Sequence, residues 1–186
     1  KEHEIRIICI SKNDDPYTIR GIIKSENDNF QKDIVSADIF FSDNFFNSDP
    51  VVFKNEIPLK GIDAERFYPK PLFQGPIFRH LTKIYKLIEN KTCIAGWEKG
   101  EERIFFSDEL PQKTFTHPSL IDSMMQTLLI MSSKKALPVF ISNINYSKNK
   151  MAKNGYIFAN NDATVLSDHN MRPLLSVGIV KTEKPD

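Results

Sequence analysis

The sequence is poor in the residues that most often announce a chemistry. It has two cysteines, Cys9 and Cys93, far apart and without metal-ligand spacing. Each sits in an apolar, strand-like run and reads as a reduced core thiol, which predicts a cytoplasmic protein. There is one tryptophan, and the seven glycines form neither a phosphate-cradling loop nor a Gly-x-Ser-x-Gly elbow. Lysine and arginine number 25 against 24 for aspartate and glutamate, a net charge of +1. No charge excess therefore argues for nucleic acid or an anionic membrane surface. No apolar run reaches the length of about 18 residues that a membrane span needs, and Lys1-Glu2-His3-Glu4 does not read as a signal peptide. What is left is an ordinary globular composition, 40% hydrophobic and 26% charged over 186 residues. That length fits one domain or two small lobes burying roughly 70% of the unfolded surface. The chain does not begin with Met, and it is read as a piece of something longer.

What is present is organised around residues 114–133. Pro118 suits the first turn of a helix, where its missing N–H costs nothing. After it Leu120, Ile121, Met124, Met125, Leu128, Leu129 and Met131 recur at three- and four-residue steps, predicting a helix buried on most of its circumference. Into that helix are set one acid, Asp122, and one amide four residues on, Gln126, which share a face and can hydrogen-bond. Two readings stay open. A carboxyl among methionine and leucine is desolvated, which raises its pKa toward that of a general acid. Alternatively Asp122 is simply favoured by the dipole near a helix N-terminus.

Alternation and β-branching predict strands over Glu4–Ile10, Tyr17–Lys24 and Lys32–Phe41, a meander with Gly21 at a bulge or close contact. Such a meander has no helix to cover it and needs something else to pack against. Residues 49–70, rich in prolines and interrupted by polar clusters, read as an ordered connector. Gly75-Pro76 predicts a sharp turn flanked by Phe73 and Phe78. Strands are expected near Thr82–Glu89, Thr92–Glu98, Arg103–Ser107, Leu137–Asn145, Asn154–Asn160 (around a turn at Gly155) and Leu174–Lys181. Strands, one buried helix, then strands predict an α+β unit in which a curved antiparallel sheet wraps a central helix.

Gln74-Gly75-Pro76-Ile77-Phe78, followed by His117-Pro118-Ser119-Leu120-Ile121-Asp122-Ser123-Met124-Met125-Gln126, resembles the dehydratase domain of modular polyketide and polyunsaturated-fatty-acid synthases. That family has a double hot-dog fold. The resemblance implies the closing strands of a first lobe at 1–48, the connector at 49–70 and a second hot-dog lobe at 71–186. It further implies dehydration of a β-hydroxyacyl chain carried on the phosphopantetheine of an acyl carrier protein, with no other cofactor and no metal. Asp122 maps onto the acid that protonates the departing hydroxyl and Gln126 onto the residue that orients it. Gln74, Gly75, Pro76, Phe78, His117 and Met125 map to substrate binding. The implied partners are the carrier protein and neighbouring synthase domains or the missing first lobe, with a homodimer also kept open.

Two departures stand out. The family's catalytic histidine lies in His-x-x-x-Gly-x-x-x-x-Pro, and none of His3, His80, His117 or His169 has Gly four residues on. Gln74 stands where many family members have Tyr. Several residues carry a plainer reading beside the functional one: His117 as a cap, Met124, Met125, Met131 and Trp97 as core, and Lys148, Lys150 and Lys153 as a solvated turn. Besides the dehydratase, two functions stay in play: a dehydratase-like lobe kept as a structural or docking module, and a hot-dog thioesterase or acyl-binding domain.

Overall fold

The computed structural model describes residues 4–12, 15–41, 57, 58, 60–68, 70–99, 118–133, 136–147 and 151–183. The chain divides into two compact units, Lys1–Phe45 and Phe46–Asp186. The expected strand Arg103–Ser107, the segment Lys148–Lys150 and most of the connector's first half lie outside the described residues.

The first unit is the predicted meander: β1 (Ile5–Lys12), β2 (Asp15–Ser25) and β3 (Asp33–Phe40), antiparallel and in that order. Pairing of Ile7 with Ile23, Ile23 with Val35 and Ile19 with Ile39 gathers these side chains on one face, because opposed residues share a face. The other face carries Arg6, Arg20 and Asp38, with an Arg20–Asp38 contact at 3.9 Å. The β2–β3 turn is closed by Ser25, which accepts from the Asn27 N–H at 3.2 Å, and by Asn29 in the left-handed region. No bulge forms at Gly21, which pairs in register with Cys9 and Ala37. The irregularities fall at Ser11/Lys12 and Ile23/Lys24 instead. No apolar side chain described in this unit is buried, and Ile7 is 73% exposed.

The second unit holds β4 (Ile62–Asp63), β5 (Leu81–Ile88), β6 (Thr92–Glu98), α1 (Pro118–Ser132), β7 (Leu137–Ile141), β8 (Ile144–Tyr146), β9 (Asn154–Asn160), β10 (Thr164–Asp168), β11 (Pro173–Val177) and β12 (Val180–Glu183). Seven strands form one antiparallel sheet in the order β4-β5-β6-β9-β10-β11-β8, and β7 pairs with β12 separately. Helix α1 lies against β6, β9 and β10. A large antiparallel sheet with a helix laid against it is the architecture that the order of elements predicts. The core between them contains Trp97, Leu120, Met124, Ile157, Leu166 and Leu175. Trp97 is core, as read, and its indole N–H donates to the Ser167 carbonyl at 3.0 Å.

Two expected strands are each divided. Leu137–Asn145 breaks at Ser142-Asn143 and Leu174–Lys181 breaks at Gly178, so that each half enters a different sheet. The breaks pack on one another: the Gly178 N–H donates to the Asn143 carbonyl at 3.0 Å, and a Cβ on Gly178 would stand 1.9 Å from Asn143 Oδ1. Gly155 lies in β9 opposite Asp168, not in a turn, and a Cβ there would meet the Ser167 carbonyl at 2.0 Å.

Candidate active site

Helix α1 begins at Pro118, and no side chain from Ser119 to Ser132 is exposed. A helix enclosed in this way must satisfy its polar side chains internally. Ser123 Oγ donates to the Ser119 carbonyl at 2.8 Å, and Thr127 Oγ1 to the Ser123 carbonyl at 2.9 Å. Of the other polar side chains, Ser132 Oγ donates to the Leu129 carbonyl at 3.2 Å, Asp122 is half-buried and Gln126 is wholly buried.

Gln126 is a junction. Its Nε2 donates to Asp122 Oδ2 at 2.6 Å and to the Phe78 carbonyl at 2.8 Å, which uses both amide hydrogens. Its Oε1 accepts from the Tyr68 hydroxyl. One side chain thus joins the helix to the turn at Pro76–Phe78 and to the residue that closes the 3-10 turn Ala64–Phe67. Tyr68 is held in turn by Arg79, whose guanidinium lies 4.4 Å from the ring centroid and pairs with Glu65 at 3.1 Å.

Burial raises the Asp122 pKa above its ordinary value, against opposing hydrogen bonds from Gln126 and Gln74 and the nearby His80. Burial also raises the Tyr68 pKa, with Glu65 adding to it, so the phenol stays a donor at neutral pH.

The structure brings Asp122, Gln126, Gln74 and Phe78 together. Gln74 Oε1 also accepts from the Phe73 N–H at 3.0 Å, and its carbonyl accepts from Arg79 Nε at 3.1 Å. Gly75 and Pro76 open the turn that aims the Phe78 carbonyl at Gln126. Met125 is 6% exposed and lines a cavity that Asp122 does not border; Met131 lines the same cavity, and Met124 is core. His117 lies outside the described residues. His80 is buried, with its ring nitrogens each 3.2 Å from a backbone carbonyl oxygen, of Glu98 and of Ile77. Tyr68 was not legible from sequence: it precedes Gln126 by 58 residues, and no spacing rule links the two. Among the described residues no cluster of His, Cys, Asp or Glu is arranged to hold a metal.

No protein-family model matches the sequence, and no curated protein matches it. Solved structures do. The dehydratase domain from the CurK module of curacin polyketide synthase aligns with a TM-score of 0.73 and 13% identity, over 98% of this chain and 68% of that one. The dehydratase domain of MlnD from Bacillus amyloliquefaciens aligns at 0.71 and 14%, over 95% of this chain and 68% of that one. An inactive CurK dehydratase variant, with an aspartate replaced by asparagine, aligns at 0.66 and 14%, over 97% and 67%. The chain spans about two thirds of the length of each of these. At such identities the likeness is one of fold: the chain has the hot-dog fold of polyketide synthase dehydratase domains.

Proposed function

We propose that the second unit supplies the acid-bearing half of a dehydratase site acting on a β-hydroxyacyl thioester carried by an acyl carrier protein. The observation that carries this reading is the Asp122 carboxyl: on helix α1, with a pKa raised by burial, and gripped through Oδ2 by an amide whose two hydrogens are both engaged. A proton held on a fixed oxygen more tightly than on a free carboxyl is what the departure of a hydroxyl needs. A base takes the α-proton, the Cβ–O bond breaks, Asp122 gives its proton to the leaving oxygen, and water and the α,β-enoyl thioester result. Asp122 is left as the carboxylate, and the base holds the proton it removed. On this reading the base comes from a first lobe, of which β1–β3 would be closing strands. The apolar, uncovered face of those strands supports that part of it.

The test is dehydration of a β-hydroxyacyl thioester by the full-length protein. Asp122→Asn should lower the rate by about 10²-fold or more, with substrate binding nearly unchanged. A variant that dehydrates at the wild-type rate removes Asp122 from the acid role. Release of free acid in place of enoyl product would point to a thioesterase. No turnover by a folded wild-type protein would point to a structural lobe.

A further inference from the structure

We infer that the cavity between the C-terminal half of α1, the β7–β12 pair and the β9–β10 turn binds a small neutral molecule of about six carbons bearing one hydroxyl or carbonyl oxygen. This does not rest on the dehydratase reading, since Asp122 is not among the lining residues.

The cavity measures about 140 Å³, and its apolar wall is built from Met125, Leu128, Leu129 and Val180 with Pro138 and Ala163. A dry cavity of about 150 Å³ with such a lining takes up benzene, so the space admits a ring or chain of about six carbons. Thr164 is part of the same wall. It is 0% exposed, and its Oγ1 has no hydrogen-bond partner among the described residues. Thr164 sits in β10 between Ala159 of β9 and Val177 of β11, in the middle of the sheet. A hydroxyl left alone at such a place costs free energy that a guest's oxygen would recover.

The charge of the guest follows from the same wall. Among the described residues, no lysine, arginine, histidine, aspartate or glutamate lines the cavity. The remaining polar lining includes Asn160, Asn161 and Thr182, which are exposed and mark the open side. An ionised group carried inside would exchange its full hydration for at most the one Thr164 hydroxyl, so a carboxylate is refused where an alcohol of equal length is accepted.

The experiment uses the full chain labelled with ¹⁵N and titrated with 1-hexanol, benzene and hexanoate at pH 7. The expected result is saturable shifts of the Ala163, Thr164 and Gly178 amides with 1-hexanol and benzene, and none with hexanoate. Thr164→Val should weaken 1-hexanol by about fivefold while leaving benzene unchanged, because it removes one hydrogen bond and no volume. Ala163→Leu, which fills the space, should abolish both. Without guest, Thr164→Val should raise the melting temperature, since it deletes an unpaired buried hydroxyl. The inference is overturned if 1-hexanol gives no saturable shift at those residues up to its solubility, if hexanoate binds as well, or if Thr164→Val binds 1-hexanol undiminished. A lower melting temperature for Thr164→Val would show that the hydroxyl already has a partner.

Discussion

Two antiparallel sheets in this chain are built from similar strands and meet different fates. Strands β1–β3 put Ile7, Ile23, Val35 and Ile39 on one face, yet Ile7 is 73% and Ile39 49% exposed. Strands β6 and β9 carry Cys93, Ala95 and Ile157, and each is 0% exposed. The difference is not β-propensity, which both sheets have in plenty. Among the described residues, it is the second sheet that has a helix laid against it. Alternation decides which residues could form a core; a covering layer decides whether they do.

The comparison can be broken by substitution. Trp97→Ala should cost about 3–5 kcal/mol, because it empties a wholly buried site and leaves the Ser167 carbonyl without its donor. Phe40→Ser, at a residue 70% exposed, should stay within about 0.5 kcal/mol. Denaturant titration of both variants checks this, and equal losses would mean that the first sheet is covered after all. The two thiols give a second contrast, one in each unit. Cys9 is exposed, whereas burial pushes the Cys93 pKa up to about 12. A disulfide reagent at pH 8 should therefore label Cys9 at least about 100-fold faster than Cys93.

Smaller effects sharpen the picture around Gln126. Tyr68→Phe should cost about 1–2 kcal/mol, since Gln126 Oε1 would stay buried without its donor. Asp122→Asn should act through pH. The folded state raises this carboxyl above its ordinary 3.8, so the folded chain holds the proton more tightly than the unfolded one. Its contribution to stability is present at low pH and is lost as pH rises through the folded pKa. The asparagine variant should therefore be more stable than wild type at pH 7, and that gain should vanish below about pH 3.8. Parallel stability curves from pH 3 to 8 would contradict the raised pKa.

The sequence was most legible where one period runs long and unbroken. Pro118 and the apolar spacing after it place α1, and the alternation in β1, β2, β6 and β9 places those strands to within a few residues. It was least legible where a tertiary contact overrides the local pattern. The hydrophobic runs through Ser142 and Gly178 look continuous, but each is cut where the chain passes from one sheet to the other. Strand β10, Thr164–Asp168, is five residues long between polar turns and was missed for want of length. At the candidate site, Asp122 and Gln126 were readable because a helix fixes what lies four residues apart. Their neighbour Tyr68 reaches Gln126 across 58 residues, which only the folded chain reveals.

The double grip on Gln126 has a stereochemical consequence. With one amide hydrogen on Phe78 and the other on Asp122 Oδ2, the acid cannot swing without breaking the link between helix and turn. Its other oxygen therefore points one way only. On the proposed chemistry a departing hydroxyl must come to that one oxygen, so which mirror-image alcohol reacts would be set by how the rest of the acyl chain is held around this fixed point.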